Sequence, residues 1–205
     1  QNYIGQTTWN YDEIIHYVCP PPEFLSDLMK DLSKTAIKME GVNPIVRATA
    51  IAFGFVFIHP FEDGNGRIHR FLINDFLSRD NFLPTGMIIP VSAYMVNNLK
   101  LYDESLEAYS KPLMQIIKYT KDEKQKLIVL NASEVEGYYR FPDLTTQTEY
   151  LFKVIEIAIS HDLPNELNFL QNYDEAKELM KQRIDMPDKL IDLFIRFTHQ
   201  NNGIF

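Results

Sequence analysis

Positive charge is scarce in this chain. It carries 20 Lys and Arg against 28 Asp and Glu, a formal net charge of −8. That balance argues against a nucleic-acid binder, whose phosphate-rich partner asks for a basic face. Cysteine is scarcer still. Cys19 stands alone, so no disulfide can close within the chain, and a reducing cytoplasm is the expected compartment. Cys19 precedes three prolines and reads as structural. No apolar run reaches the roughly 18 residues of a membrane span, and no signal peptide is visible. The chain begins at Gln rather than Met and stops at "NNGIF", as a segment cut from a longer protein would. Repeats and low-complexity tracts are missing as well. So are the P-loop pattern G-x-x-x-x-G-K-[ST] and the kinase pair H-R-D and D-F-G. Any phosphate chemistry here must use another device.

What is present suits a folded protein. At 205 residues and 45% hydrophobic, the chain can build one large domain, or a domain with an extension. Residues 3–18 mix aromatic and β-branched side chains without helical period and read as a short hairpin. "CPPPE" breaks the chain. The spacing of Phe24, Leu25, Leu28, Leu32 and Ala36 then predicts a helix over 23–39. Asn43 is a good N-cap and Pro44 a good first residue for a helix that is apolar nearly throughout from Ile45 to Ile58. Such a helix is buried, and it must end by His59, because Pro60 disfavours helical geometry before it. A further helix is expected from about Gly66 to Arg79, with Ile68, Phe71, Leu72 and Phe76 on one side and Arg67, Arg70 and Asn74 on another. Segments 91–118, 145–161, 165–183 and 187–199 also read as helical, with Asn202-Gly203 closing the last. The charged stretch "TKDEKQK" is the expected boundary between residues 1–120 and 121–205.

The densest chemistry lies in "IHPFEDGNGRIHR", residues 58–70, a tight loop between two core helices. Gly64-Asn65-Gly66 opens a helix, where a close backbone approach and free N–H groups make an anion site. Arg67 and Arg70 can neutralise two phosphates. Asp63 is a hard oxygen ligand suited to Mg²⁺, and His59 can take a proton near neutral pH. Each group also has a plain structural reading. Gly-Asn-Gly is often only a turn, the arginines could be solvated, His59 could cap a helix, and Asp63 could cap the next. Taken together they supply base, metal ligand, anion hole and phosphate clamps. Glu62 reads as solvated, and His69, off the arginine stripe, as structural. His16, His161 and His199 read as packing or surface residues.

This segment resembles the signature of Fic-domain proteins, H-P-F-x-[D/E]-G-N-G-R-x-x-R, at His59, Pro60, Phe61, Asp63, Gly64, Asn65, Gly66, Arg67 and Arg70. "YIG" with "VCPPPE" upstream is similar to that family's flap and entry, and "LYDESL" to its downstream Tyr-Tyr-x-x-Leu region, with Leu101 in place of the first tyrosine. The likeness covers about residues 3–120, and 121–205 resembles a helical extension of some bacterial members. It implies an all-α fold, a helical bundle with a small β-hairpin flap. It implies transfer of AMP from ATP, with Mg²⁺, to a Ser, Thr or Tyr hydroxyl of a target protein docked along the flap. Carried across by position, His59 would be the base and Asp63 the metal ligand. Gly64, Asn65 and Gly66 would hold the α-phosphate, and Arg67 and Arg70 the outer phosphates. Tyr102 would line the adenine pocket, and Phe61 would anchor the loop in the core.

Many members carry an inhibitory helix, [S/T]-x-x-x-E-[G/N]. Here Glu40-Gly41 and Glu136-Gly137 each have Ala at the first position, Ala36 and Ala132, and read as chance matches. Inhibition would then come from an upstream helix or a partner protein. A second copy of the chain is the other partner considered. The alternatives to AMP transfer are another phosphate- or nucleotide-transferring activity on the same loop, or a catalytically quiet regulator or toxin-antitoxin component.

Overall fold

The computed structural model describes residues 1–201 other than 12, 84–86 and 125. The Asn202-Gly203 helix stop lies outside these residues. The architecture is all-α with small hairpins, as expected. Strands β1 (Tyr3–Thr7) and β2 (Glu13–Val18) pair antiparallel, with Tyr3 opposite Val18 and Thr7 opposite Glu13. The register shifts between Ile4 and Gly5. A Cβ on Gly5 would stand 2.7 Å from the Ile14 carbonyl oxygen, so this irregularity needs glycine. The flap's tip is exposed at Trp9 and Tyr11, while its base, Tyr17 and Val18, is buried.

Helix α1 (Pro22–Lys38) lays Leu28 into the core, flanked by the half-buried Phe24, Leu25, Leu32 and Ala36. Helix α2 (Pro44–Ile58) starts where Asn43 Oδ1 accepts from the Ile45 and Val46 amides at 2.9 and 3.4 Å. Its single charge, Arg47, is buried. The guanidinium donates to the Ala36 carbonyl through Nε and Nη2 at 3.0 and 2.6 Å, pairs with Asp80, and lies 5.1 Å from the Phe76 ring centroid. From Ile51 to Ile58 every residue of α2 is buried, and Phe53 has no exposed surface. Burying one such ring contributes about 1.5–3 kcal/mol.

Helix α3 (Asn65–Arg79) packs along α2, but not on the stripe expected from hydrophobicity. Its buried residues are Asn65, His69, Ile73, Phe76 and Leu77, while Phe71 is 66% exposed. Asn65 and His69 can face inward because backbone groups pair with both polar atoms of the Asn65 amide and with Nδ1 of His69. His69 Nδ1 donates to the Ala52 carbonyl at 2.9 Å.

Helices α4 (Val91–Asn97) and α5 (Leu99–Ile116) follow, broken at Asn98. The charged stretch expected to be a boundary is instead the turn of a second hairpin, β3 (Tyr119–Lys121) and β4 (Leu127–Val129). Asp122 Oδ1 accepts from the Lys124 and Lys126 amides, both at 2.8 Å, and builds that turn. Helix α6 (Ala132–Arg140) comes next, in a segment not read as helical. Leu127, Val135 and Tyr139 join Tyr17, Cys19, Leu28, Ile58 and Leu113 in one buried cluster. Residues 121–156, placed in the extension by the sequence reading, therefore belong to the first of two compact units, Gln1–Glu156.

Helix α7 (Thr145–Ile157) buries Leu151, Val154 and Ile155 at the expected spacing. The second unit, Ile157–Phe205, holds a π-helical turn (Ala158–Asp162), α8 (Leu163–Arg183) and α9 (Asp188–Gln200). Lys177 on α8 meets Asp192 on α9 at 2.6 Å. Among the described residues, no helix is long and apolar enough to cross a membrane.

Candidate active site

The loop from His59 to Gly64 begins where α2 must stop. His59 caps α2 in the left-handed region, φ 51° and ψ 56°, with its N–H on the Phe55 carbonyl at 3.0 Å. Its ring is half-buried, and Nδ1 lies 3.2 Å from the Val56 carbonyl oxygen. A carbonyl can only accept, so Nδ1 carries the proton and Nε2 keeps its lone pair. Burial lowers the His59 pKa, and the bond to Val56 opposes that only in part. The imidazole is thus neutral at pH 7, with a free basic nitrogen.

Asn65 closes the loop. It is 2% exposed, its Oδ1 accepts from the Phe61 amide at 3.1 Å, and its Nδ2 donates to the Phe61 carbonyl at 2.7 Å. Phe61 therefore holds the loop through its backbone, and not through its ring as expected. The ring is 51% exposed beside Phe55. A side chain with both a donor and an acceptor outdoes an aromatic ring here, because the turn's own amide and carbonyl need partners. Asn65's side chain is spent on this task, so an anion would meet its backbone N–H.

The turn itself is an open cradle. Gly64 adopts φ +89°, which disfavours any residue with a Cβ. The amides of Asn65, Gly66 and Arg67 precede the first bond of α3, Ile68 N–H to the Gly64 carbonyl at 3.0 Å, and so face outward for an anion. Both guanidiniums fold back over the glycines. Arg67 Nη2 lies 3.6 Å from where a Cβ on Gly64 would stand, and Arg70 Nη1 lies 3.4 Å from one on Gly66. Arg70 Nε donates to Ser92 Oγ at 2.9 Å, which fixes its direction. Asp63 accepts from the Gly64 amide at 2.6 Å and from Arg67 Nη2 at 2.9 Å, and its side chain is 90% exposed.

Among the described residues, no group of three or more His, Cys, Asp or Glu could cage a metal. An exposed carboxylate beside a phosphate cradle still fits Mg²⁺, which commonly uses one or two carboxylates together with phosphate oxygens and water. Tyr102 is largely buried, its ring stacked on His69 with centroids 5.8 Å apart, and burial pushes its pKa up to about 12. Glu40 pairs with Arg47 at 3.8 Å and Glu136 with Arg140 at 2.6 Å, so both near-matches to the inhibitory pattern have partners other than Arg70.

Sequence reasoning missed two residues at this site. Ser92 receives Arg70, and Asn2 donates to the His59 and Phe61 carbonyls at 3.0 and 3.2 Å. Neither carries a local signal, since both reach the loop through tertiary structure.

Residues 2–77 match the model of the Fic/DOC family. The chain is 28% identical to Protein adenylyltransferase fic-1 of Caenorhabditis briggsae over 165 residues, which cover 76% of this chain and 29% of that protein. It is 36% identical to Protein adenylyltransferase fic-1 of Caenorhabditis elegans over 91 residues, 44% of this chain and 16% of that one. It is 39% identical to Protein adenylyltransferase Fic of Nematostella vectensis over 70 residues, 33% of this chain and 16% of that one. The chain thus spans under a third of each relative's length. The likeness to the Fic/DOC family thus falls on residues 2–77, which hold the flap, the loop and nearly all of the two helices that flank it.

Proposed function

We propose that this chain transfers AMP from ATP to a Ser, Thr or Tyr hydroxyl of a target protein. The observation that carries the reading is the glycine turn with two guanidiniums over it, in the same closed loop as a neutral imidazole. The relatives' name, protein adenylyltransferase, supports the same reaction. His59 Nε2 accepts the hydroxyl proton, and the hydroxyl oxygen bonds the α-phosphorus. The bond from that phosphorus to the bridging oxygen breaks, and pyrophosphate leaves. Amides of the Gly64-Asn65-Gly66 turn receive the charge growing on the α-phosphate. Arg67 and Arg70 hold the outer phosphates. Asp63 would hold Mg²⁺, which when bound supplies charge neutralisation to the phosphates. Swinging Asp63 to that task would free Arg67 from its present partner. Tyr102 as an adenine wall rests on the resemblance to the family. The exposed edge of the flap is suited to aligning the target's backbone as an added strand.

The test uses cell lysate and ATP labelled at either the α- or the γ-phosphate. Label from the α-position should reach a protein with wild type, and should be lost with His59→Ala and with Arg70→Ala. Label arriving only from the γ-position would replace this reading with phosphotransfer. Nucleotide binding without transfer would replace it with a quiet regulator.

A further inference from the structure

We infer that Asn2 is a positioning residue for His59. It lies outside the signature, 57 residues upstream. Its amide donates to the His59 carbonyl at 3.0 Å and to the Phe61 carbonyl at 3.2 Å. One NH₂ group thus bridges both ends of the His59-Pro60-Phe61 turn. That turn needs an outside hold. His59 is a non-glycine residue at φ 51°, a conformation that costs of order 1–3 kcal/mol and persists only where its surroundings impose it. Pro60, next in line, has no N–H with which to brace the turn.

Asn2 is itself fastened. Its carbonyl accepts from the Cys19 amide at 3.1 Å, just past β2, where Cys19 is 1% exposed. Gln1 Nε2 donates to the Cys19 carbonyl at 2.6 Å. The buried end of the flap therefore fixes the Asn2 backbone, and the Asn2 amide fixes the turn. Because Nδ1 is tied to Val56, the direction of Nε2 follows from the backbone angles that Asn2 maintains. Asn2, Tyr3 and His59 also line one cavity of about 200 Å³. The flap, where a target would dock, is thereby joined to the base through one side chain.

The structural half of this inference stands by itself, and the catalytic half rests on the nucleotidyl-transfer reading. The experiment compares the full chain with Asn2→Asp and Asn2→Ala. Asp keeps the shape but removes both donors. Imidazole ¹⁵N NMR reads each histidine separately. His59 resonances should move or broaden in both variants, with the pKa rising toward its ordinary value as the turn opens to water. His69, buried against Ala52, should stay where it is and report an intact fold. In the labelled-ATP assay, turnover should fall about 10- to 100-fold with the KM for ATP held within about twofold. Asn2→Ser, which keeps a short donor, should recover part of it. Unmoved His59 resonances, or undiminished turnover, overturn the proposal. So does loss of the His69 signal in both variants, which makes Asn2 a folding residue. If wild type transfers no label, the nucleotidyl-transfer reading fails, while the His59 resonances still decide the role of Asn2.

Discussion

Burial holds His69 neutral. It has no exposed surface, and its pKa falls from 6.5 to about 4. The unfolded chain takes up a proton near 6.5, whereas the folded chain waits until about 4. Between those values the unfolded state binds more protons, so stability is full above the upper value and declines as pH falls toward the lower. The loss should reach about 3 kcal/mol. Urea unfolding at pH 7 and pH 4.5 checks it, and His69→Gln should lose less between the two. His59 has the same sign, because burial depresses it too. Transfer should therefore be flat around neutral pH, with an acid limb below the ordinary imidazole value, measured as turnover against pH. The structural role of His69 could be read from its place off the arginine stripe. The inward face of α3 could not be read from hydrophobicity, because Asn65 and His69 go inside on the strength of backbone partners. Phe71, apolar yet 66% exposed, was misread for the same reason.

Elements set where these residues act. Gly64 lets the chain enter α3 at φ +89°. Gly64→Ala should cost about 1 kcal/mol or more in thermal unfolding and weaken ATP binding, read by calorimetry. The flap is braced from the second hairpin. Glu13 on β2 pairs with Lys121 on β3 and also accepts from the Tyr3 hydroxyl, and the Lys121 ammonium lies 6.0 Å from the Tyr3 ring centroid. Lys121→Ala should speed amide exchange in β1 and β2 while leaving α2 protected, as hydrogen–deuterium exchange would show. The flap and the helices flanking the loop were legible, because the aromatic and β-branched make-up of residues 3–18, the Asn43-Pro44 start and the His59-Pro60 stop are local signals. The second hairpin was not. Its strands are three residues each, too short for a period, and its turn is charged enough to pass for a linker. Long-range pairing to Glu13 gives Lys121 its place, and no window of sequence contains both.

The whole molecule comprises a unit that holds the loop, Gln1–Glu156, and a second, Ile157–Phe205, each with its own buried residues. In the first, the buried cluster runs from Tyr17 to Tyr139 and closes well past the region matched by the family model. Residues 1–156 expressed alone should thus unfold in one cooperative thermal transition, whereas 1–120, stripped of Leu127, Val135 and Tyr139, should not. Calorimetry on both lengths checks this. The most direct measurement for the central claim is intact-protein mass spectrometry after incubation with ATP and Mg²⁺. The account predicts that the wild-type chain, or a lysate protein it meets, gains the mass of one AMP, and that His59→Ala gives no gain. An added phosphate alone, or an AMP adduct that persists in His59→Ala, would contradict it.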